Sequence, residues 1–318
     1  MNIVLAEPIG VPENVVEEYA RRLREMGHTF RYYRDVAGDN AELIRRCNDC
    51  EIVMIANHPF PDEVIAASRK LRMISVAFTG IDHVGTNNCK EQDIMVCNAA
   101  GYSDQTVAEL VIGFAVDAYR HVIQGDRRVR EGGKNAGLTG REIHGKTVGI
   151  IGLGHIGMRT ARLFQAFGAR VTAYNRSQSQ EAIEAGIEYL PLDELLKVSD
   201  IISVHLPLKE ETRGFIDSGK LALMKKGAVL INCARGPIVD AKALAGALNE
   251  DRLGCACVDV FDCEPPVPKD NPLLSAKNVI LTPHIAYLSE ESMLRRAEIV
   301  FQNVFDYLDG RPSNICRL

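Results

Sequence analysis

The sequence predicts an α/β fold made of two doubly wound domains, each built on a parallel sheet. Short apolar runs rich in β-branched residues recur along the chain, and helical stretches separate them. This alternation is typical of parallel strands joined by crossover helices. In addition, 318 residues are too many for one ordinary domain and too few for three. We therefore expect two domains, each with a sheet of its own.

The predicted strands fall into two sets. The first set is Ile3–Leu5, Ile52–Ile55, Met73–Ala77 and Ile94–Cys97. The second set is Thr147–Ile151, Arg170–Tyr174, Asp200–His205, Ala228–Asn232, Cys255–Val260 and Val279–Thr282. Each run has the length and composition of a buried strand.

Two helices complete this outline. An amphipathic helix lies between the two sets of strands and is predicted to link the domains; its apolar face carries Val107, Leu110, Val111, Phe114 and Ala118. A last helix begins after Ser289, a good N-cap residue, with Glu290 and Glu291 in its first turn. Too little chain remains there for a further domain, so we expect this helix to pack on the first one.

Composition and charge exclude several classes of function. The formal net charge is −5 and the calculated pI is about 5.9, so no overall basic field attracts nucleic acid. No run approaches the ~18 apolar residues of a membrane span, and the first residues lack a signal-peptide pattern. We expect a cytoplasmic protein that binds neither nucleic acid nor membrane.

The nine cysteines do not form a disulfide framework, because their number is odd and they are scattered along the chain. Cys47 and Cys50 form a single C-x-x-C without a second pair of ligands to complete a zinc site. We therefore expect no metal, and we expect these two thiols at a helix surface or partly buried.

A glycine motif follows the strand Thr147–Ile151. Gly152, Gly154 and Gly157 form G-x-G-x-x-G, with His155 and Ile156 in its second gap. Such a turn between a strand and a helix lets backbone N–H groups approach a pyrophosphate at the helix N-terminus. The alternative is an ordinary glycine-rich turn. Because strand, glycines, helix and second strand come in the expected order, the sequence favours a Rossmann dinucleotide-binding domain.

The helix after this motif is predicted to turn one set of residues inward and to stop at Gly168. The predicted inner residues are Ile156, Thr160, Leu163 and Phe167.

The end of the next strand bears on the choice of cofactor. NAD sites usually carry an acid there for the ribose 2′-hydroxyl, whereas this chain has Asn175, Arg176 and Ser177. Without the acid a 2′-phosphate is not repelled, and Arg176 could pair with it. The sequence favours NADP(H). In the alternative, Arg176 points into solvent and Asn175 binds the ribose of NAD(H).

Three late segments carry chemically active groups at the ends of strands, where open parallel sheets bind ligands. They are Asn232–Gly236, Asp259–Pro266 and Thr282–His284. Together with Thr106–Glu109, His205–Pro207 and the glycine motif, they resemble the D-isomer-specific 2-hydroxyacid dehydrogenase family over nearly the whole chain. The resemblance implies an oxidoreductase that moves a hydride between NAD(P)H and a small 2-keto or 2-hydroxy acid.

The resemblance also implies the domain organisation. A Rossmann cofactor domain of residues 101–286 is expected to be inserted into a smaller, flavodoxin-like substrate domain of residues 1–100 and 287–318. The active site is expected in the cleft between the domains, and the protein is expected to be a homodimer.

Three residues are expected to carry the reaction. Arg235 offers two parallel donors for the carboxylate and carbonyl of the substrate. His284 acts as general acid in reduction and as general base in oxidation. Glu264 orients His284 and stabilises its protonated form. Taken singly, Arg235 and Glu264 could form a surface ion pair, and His284 could be a strand-end histidine.

Further positions follow from the resemblance. Besides the glycine turn with His155, Ile156 and Asn175–Ser177, the expected cofactor contacts are Thr106, His205, Pro207, Thr212, Cys233, Ala234 and Asp259. The expected substrate contacts besides Arg235 are Phe78, Thr79 and Gly80, whose backbone holds the carboxylate, with Asn57, His58, Tyr102 and Tyr287 as candidate pocket walls. For Thr106 and Asp259, a helix-cap or strand-end role is the alternative.

The sequence leaves the substrate undecided between glyoxylate, hydroxypyruvate and similar acids. Formate is disfavoured, because formate dehydrogenases of this superfamily carry glutamine at the position of Glu264. Two other functions stay open: a nucleotide-sensing protein that resembles the corepressors related to this family, and a phosphite-type dehydrogenase.

Overall fold

Two parallel sheets form the framework of the computed structural model, which describes residues 1–263 and 266–318. One unit consists of Met1–Ser103 and Leu288–Leu318, and the other consists of Asp104–Tyr287. The second unit is thus inserted between two parts of the first. The predicted α/β fold class, with two doubly wound parallel sheets, is confirmed. Which unit binds the substrate and which binds the cofactor stays a prediction at this point.

The elements are numbered along the chain. The strands are β1 (Asn2–Leu5), β2 (Thr29–Tyr32), β3 (Ile52–Ile55), β4 (Met73–Val76), β5 (Met95–Cys97), β6 (Thr147–Ile151), β7 (Arg170–Tyr174), β8 (Glu188–Tyr189), β9 (Ile201–Val204), β10 (Val229–Asn232), β11 (Cys255–Val258) and β12 (Val279–Leu281). The helices are α1 (Glu13–Glu25), α2 (Asn40–Cys47), α3 (Asp62–Ala67), α4 (Thr86–Glu91), α5 (Asp104–Arg120), α6 (Val122–Arg130), α7 (His155–Ala166), α8 (Gln180–Glu184), α9 (Leu192–Val198), α10 (Ser218–Leu223), α11 (Ala241–Asn249) and α12 (Glu290–Leu308). Among the described residues, no helix combines the length and hydropathy needed to cross a membrane.

The first unit has the strand order β2-β1-β3-β4-β5, with every pair parallel. This is the flavodoxin-like order, in which the chain moves outward from β1 in one direction and then crosses to β3. Every residue of β3 and β4 is buried. Both strands were predicted from the sequence, because strands of a parallel sheet are buried on both faces and are therefore mostly apolar.

The last helix completes the first unit. Val300, Phe301 and Val304 of α12 share one apolar core with Leu5 and Met54 of the sheet. The start of α12 is fixed by Ser289, whose hydroxyl accepts the N–H of Ser292 over 3.1 Å. The prediction that the last helix packs on the first domain is confirmed.

The second unit has the order β12-β11-β10-β9-β6-β7-β8, also parallel throughout. This is the Rossmann order with one additional strand, β12, at its edge. The chain reverses its direction across the sheet between β6 and β9, which is where such folds bind dinucleotides. Helix α5 begins this unit and buries Val107, Val111 and Phe114 in the core, as its periodicity predicts.

Two strands were not predicted from the sequence. In β2 exposed and half-buried residues alternate, and β8 has only two residues. Both lie at an edge of their sheet, so neither needs the continuous apolar run that identifies an interior strand.

The predicted inner face of α7 was wrong in part. The buried residues of this helix are Gly157, Thr160, Ala161 and Phe164, whereas Phe167 lies at its C-terminal end with 45% of its surface exposed. Close approach of Gly157 to the preceding turn explains the difference. It brings the face of residues 157, 161 and 164 onto the sheet. Phe167 is exposed because it lies beyond Ala166, the last residue of the helix.

The expected exposure of Cys47 and Cys50 was also wrong, because both side chains are fully buried. The neighbouring Cys47 thiol and burial together raise the pKa of Cys50 far above its usual range. Cys50 therefore stays protonated in the core of the first unit.

Candidate functional site

The glycine turn between β6 and α7 has a backbone that only glycine fits. Gly152 adopts a φ of 95°, and a Cβ there would lie 2.7 Å from the carbonyl oxygen of His205. A Cβ on Gly157 would lie 2.1 Å from the carbonyl oxygen of Gly152. The two outer glycines thus allow a tight turn and a close contact between the helix and the turn.

The middle glycine has a different environment. A Cβ on Gly154 would meet no atom within 4 Å, and α7 begins at the next residue, His155. The side chain of His155 is exposed, and its Nδ1 lies 3.7 Å from Oδ2 of Asp104, while Ile156 is half-buried. Open space at a helix N-terminus, bordered by backbone N–H groups, fits the pyrophosphate of a dinucleotide.

Asn175 links the end of β7 to the glycine turn. Its Oδ1 accepts the N–H of Leu153 over 3.3 Å, and its Nδ2 donates to the carbonyl of Ser177 over 2.8 Å. A carboxylate could make only the first of these bonds, so the amide is matched to its surroundings. Arg176 and Ser177 are both exposed. This end of β7 therefore has an available cation and no acid.

The loop after β9 faces the glycine turn across the point between β6 and β9 where the chain reverses its direction across the sheet. His205 is half-buried, and its Nε2 lies 2.8 Å from the hydroxyl of Ser203. Burial lowers the pKa of His205 to about 4, so the ring is neutral at physiological pH. The hydroxyl of Thr212 donates to the carbonyl of Pro207 over 2.7 Å and accepts the N–H of Lys209 over 2.8 Å. Thr212 thus shapes this loop from within.

Three further predicted cofactor residues are half-buried. Thr106 lies in the first turn of α5, and Cys233 and Ala234 follow β10. Burial raises the pKa of the Cys233 thiol well above its usual range. The Cys233 thiol therefore stays protonated, and its expected contact with the cofactor stays a prediction.

Arg235 stands in a turn that Asn232 organises. Oδ1 of Asn232 accepts the N–H of Ala234 and its Nδ2 donates to the carbonyl of Arg235, each over 3.0 Å. The half-buried Arg235 donates from Nη1 to the carbonyl of Ala234 over 2.8 Å. Asn232 begins one of the three late segments, but the sequence predicted no role for it. A polar residue at the last position of an otherwise apolar strand was the feature that could have indicated this role.

Gly236 brings the Arg235 turn against the segment that follows β11. A Cβ on Gly236 would lie 2.0 Å from the carbonyl carbon of Phe261 and 2.5 Å from the N of Asp262. Only glycine permits this backbone contact. The segment leads to Glu264, which lies outside the described residues, so its expected partnership with His284 stays a prediction.

His284 follows β12 and has an unusual backbone. Its φ is 55°, in the left-handed region, and its half-buried ring lies 5.3 Å from that of Tyr287 at 86°. Asp259, at the end of β11, is fully buried beside it. The Asp259 carboxylate accepts the N–H groups of Ile285 and Ala286 over 2.9 and 2.8 Å.

Burial and these contacts shift the pKa of the Asp259 carboxyl group in opposite directions. Burial raises its pKa, whereas the hydroxyl of Thr282 and the two backbone donors lower it. Both carboxylate oxygens are used to hold the loop around His284. The expected contact with a nicotinamide carboxamide stays a prediction.

The strand order brings the predicted catalytic segments to one edge. β10, β11 and β12 are consecutive parallel neighbours, spaced by about 4.8 Å as in any sheet. Arg235, Asp259 and His284 each follow one of these strands. The guanidinium of Arg235, which can donate two hydrogen bonds to a carboxylate, and the half-buried imidazole of His284 therefore share the carboxyl edge with the glycine turn.

The loop Phe78–Gly80 follows β4 in the first unit. The carbonyl of Phe78 accepts the N–H of Ala99 over 2.9 Å, and the carbonyl of Thr79 accepts Nδ2 of Asn98 over 2.7 Å. In a planar trans peptide the next N–H points opposite to the carbonyl. The N–H groups of Thr79 and Gly80 therefore point away from this neighbouring segment, as the backbone of an anion-binding loop would require.

The remaining predicted substrate residues differ in exposure. Asn57 and His58 are exposed in the loop after β3, where Nδ1 of His58 lies 2.5 Å from the buried carboxylate of Glu7. Tyr102 is 1% exposed, with its ring centre 6.0 Å from that of Phe78. Tyr102 therefore supports the loop from inside the first unit, and its direct contact with a substrate stays a prediction.

Comparison with known proteins gives consistent matches. Residues 112–286 match the family model described as D-isomer specific 2-hydroxyacid dehydrogenase, NAD binding domain. A glyoxylate reductase of Korarchaeum cryptofilum is 37% identical over 281 residues, which cover 86% of this chain and 84% of that protein. A hydroxypyruvate reductase of Blautia hydrogenotrophica is 35% identical over 300 residues, covering 92% and 93%. The structure of an acyclic imino acid reductase with NADPH and D-Arg aligns over 100% of both chains, with a TM-score of 0.90 and 31% identity.

Proposed function

Because the chain belongs to the D-isomer specific 2-hydroxyacid dehydrogenase family, we propose that it interconverts a small 2-keto acid and its D-2-hydroxy acid with NADP(H). Glyoxylate and hydroxypyruvate are the substrates we favour, since the names of the relatives point to them. The observation that carries the proposal is the shared carboxyl edge of β10, β11 and β12, where Arg235 and His284 lie on the same edge of the sheet as the Gly152–Gly157 turn.

Each proposed catalytic residue has a defined task. A bound nicotinamide supplies the hydride in reduction and takes it up in oxidation. Arg235 binds the carboxylate and the carbonyl oxygen through two parallel N–H donors, which fixes the carbonyl carbon. His284 donates a proton from its imidazole to the carbonyl oxygen and takes it back in the reverse direction. Glu264 orients the imidazole and stabilises its charged form.

The loop Phe78–Gly80 is proposed to bind the substrate carboxylate through the N–H groups of Thr79 and Gly80. The carbonyl bonds to Ala99 and Asn98 support this, because they hold both peptide planes in one orientation. Preformed donors lose little entropy on binding. Asn57 and Tyr102 complete the proposed substrate site.

NADP(H) is the cofactor we favour. Asn175 satisfies both ends of its amide within the protein and carries no charge that would repel a 2′-phosphate. The exposed Arg176 and Ser177 offer a cation and a hydroxyl to that group. Thr106, His205, Pro207, Thr212, Cys233 and Ala234 are proposed to line the rest of the cofactor site.

A panel of 2-keto acids tests the proposal directly. Glyoxylate, hydroxypyruvate, pyruvate and longer 2-keto acids are each offered with NADPH or NADH, and cofactor absorbance is followed. We expect turnover of the smallest acids and a higher kcat/KM with NADPH. Chiral chromatography should show a D-2-hydroxy product from hydroxypyruvate or pyruvate, since the glycolate formed from glyoxylate is achiral. NADPH binding without turnover of any acid would favour a nucleotide sensor. Phosphite is offered separately with NADP+ or NAD+, and turnover of phosphite alone would favour a phosphite-type dehydrogenase.

We also propose that the enzyme is a homodimer located in the cytoplasm. Helix α6 exposes Val122, Ile123 and Val129, the last with 73% of its surface, as a helix that packs on a second copy would. All nine cysteines are free thiols, which is typical of a reducing compartment. Light scattering of the wild type and Val129→Asp tests the dimer. A monomeric wild type would contradict the dimer, and a variant that stays dimeric would contradict α6 as its interface.

A further inference from the structure

Arg296 is a buried cation in the first unit, far along the chain from the loops it contacts. It lies on α12 with 4% of its surface exposed, and its Nη2 donates to the carbonyl of Ile9. A Cβ on Gly10 would lie 2.9 Å from that nitrogen, so the guanidinium packs directly against the backbone of the loop after β1.

The same guanidinium also contacts two aromatic rings. Its central carbon lies 5.2 Å from the ring centre of Phe78 and 5.9 Å from that of Tyr102. Cations within about 6 Å of an aromatic ring centre are attracted to its face, most strongly where water is excluded. Phe78 and Tyr102 are both buried, so this attraction acts away from solvent.

One side chain therefore connects three loops at the carboxyl edge of the first sheet. Ile9 follows β1, Phe78 follows β4, and Tyr102 follows β5. The neighbouring Arg295 reinforces the arrangement, because its Nε donates to the carbonyl of Tyr102 over 3.0 Å. Two consecutive arginines of α12 thus hold the residues that begin and support the Phe78–Gly80 loop.

We propose that Arg296 is a positioning residue that fixes the Phe78–Gly80 loop for binding the carboxylate of a 2-keto acid. The planar guanidinium holds the ring of Phe78, and this anchors the peptide units whose N–H groups receive the carboxylate. Its positive charge beside the loop adds to the attraction for an anion. The inference rests on the proposed function, which assigns the substrate carboxylate to this loop.

Arg296→Met and Arg296→Lys in the full-length chain test the inference. For Arg296→Met we expect the KM for glyoxylate or hydroxypyruvate to rise about tenfold or more, with NADPH affinity within about twofold of the wild type. Lysine keeps the charge but lacks the planar surface, so its KM should fall between those of the wild type and Arg296→Met. If only Arg296→Lys folds, an unchanged KM overturns the proposal.

Arg46→Met is the matched control. Arg46 lies in the same unit, is 3% exposed, donates to the carbonyl of Ala6 over 2.9 Å and stands 4.4 Å from the ring centre of Tyr33. It contacts neither Phe78 nor Tyr102 in any of these interactions. We expect Arg46→Met to lower Tm at least as much as Arg296→Met and to leave the KM within about twofold of the wild type. Equal effects of both variants on KM would mean that Arg296 is merely structural.

A double-mutant cycle with Phe78→Leu tests whether Arg296 affects KM through the ring of Phe78. If Arg296 acts through the ring, Arg296→Met should change KM much less in the Phe78→Leu background than in the wild type. Additive effects would overturn this part of the inference.

Oxamate separates this inference from the proposed function, because it resembles a 2-keto acid but accepts no hydride. Binding of oxamate to the NADPH complex is measured by fluorescence for the wild type and Arg296→Met. If the wild type binds oxamate without reducing any 2-keto acid, the proposed function fails, while weaker binding by Arg296→Met still supports the inference. If 2-keto acids are reduced and oxamate binding is equal in both, only the inference fails. If the wild type neither binds oxamate nor reduces any 2-keto acid, both fail. If it reduces 2-keto acids without binding oxamate, the KM values of Arg296→Met and Arg46→Met decide the inference.

Discussion

The backbone N–H of His284 donates to the carbonyl of Asp259 over 2.8 Å, and His284 adopts a φ of 55° at this point. A left-handed backbone is uncommon for a residue with a side chain, so the surrounding structure must hold it. The buried carboxylate of Asp259 does this by accepting the hydroxyl of Thr282 and the N–H groups of Ile285 and Ala286. One side chain thus fixes the chain on both sides of His284.

Asp259→Asn should lower kcat far more than it lowers cofactor affinity. The amide nitrogen cannot accept a hydrogen bond, so at least one of the backbone donors loses its partner and the loop around His284 loosens. We expect kcat to fall about 100-fold, because even a small displacement of a catalytic group lowers the reaction rate strongly. Steady-state kinetics and fluorescence titration with NADPH measure the two effects.

Thr282→Val is the control, since it removes only the hydroxyl donor and leaves the two backbone bonds to Asp259. We expect a kcat within about tenfold of the wild type. A large loss of NADPH affinity in Asp259→Asn with kcat nearly unchanged would instead assign Asp259 to direct cofactor binding.

His284→Ala should lower kcat by a factor of about 100 to 10,000 and change KM little. Proton transfer is needed in the transition state, whereas the proposed contacts of Arg235 and the Phe78–Gly80 loop would hold the carboxylate in the ground state. Single-turnover reduction of the preferred 2-keto acid measures this step. Equal changes in kcat and KM would contradict a role as general acid.

How much was predictable differs between the sheets and the loops. The interior strands could be read from runs such as Ile52–Ile55, because a strand buried on both faces is apolar throughout. The edge strands β2 and β8 lack this signal. Gly152 and Gly157 were predictable from a motif whose backbone requires glycine.

Supporting residues were less predictable because their roles depend on contacts distant in sequence. The partners of Asp259 lie 23 to 27 residues away, and Arg296 contacts a carbonyl 287 residues away. In the sequence, neither Asp259 nor Arg296 forms a periodic pattern or a motif together with its partners. Tyr102 was predicted from the resemblance as a pocket wall, and only the structure reveals how deeply it is buried.

Arg176→Ala should reduce kcat/KM for NADPH about tenfold and leave that for NADH within about twofold, because only NADPH carries the 2′-phosphate. The comparison of both cofactors in one variant is its own control. Equal losses with both cofactors would indicate that Arg176 acts on the fold or on a part that both cofactors share.

Gly236→Ala should destabilise the second unit and abolish activity. A methyl group 2.0 Å from the carbonyl carbon of Phe261 forces the Arg235 turn away from the segment leading to Glu264. We expect the free energy of unfolding to fall by about 3 kcal/mol, at the upper end for an overpacked site. Gly246→Ala in α11 is the control, since its Cβ meets no atom within 4 Å, and it should be neutral or stabilising by up to about 1 kcal/mol. Similar unfolding curves for both variants would contradict the close contact.

His205 should make stability depend on pH in the acid range. Burial lowers its pKa from 6.5 to about 4 in the folded chain. Between these values the unfolded chain binds a proton that the folded chain does not, so the free energy of unfolding falls as the pH decreases through this window. The full shift would correspond to about 3 kcal/mol, but the ring is only half-buried, and we expect about 1 to 2 kcal/mol.

Urea unfolding of the wild type and His205→Gln at about pH 7 and about pH 5 measures this contribution. Glutamine keeps a polar group near the hydroxyl of Ser203, which lies 2.8 Å from Nε2 of His205, but it does not titrate. The wild type should lose more stability than the variant on acidification, because only its unfolded state gains a proton at this position. Other titrating groups change both proteins equally and cancel in the difference. Equal losses in the two proteins would mean that His205 is accessible enough to be protonated without unfolding.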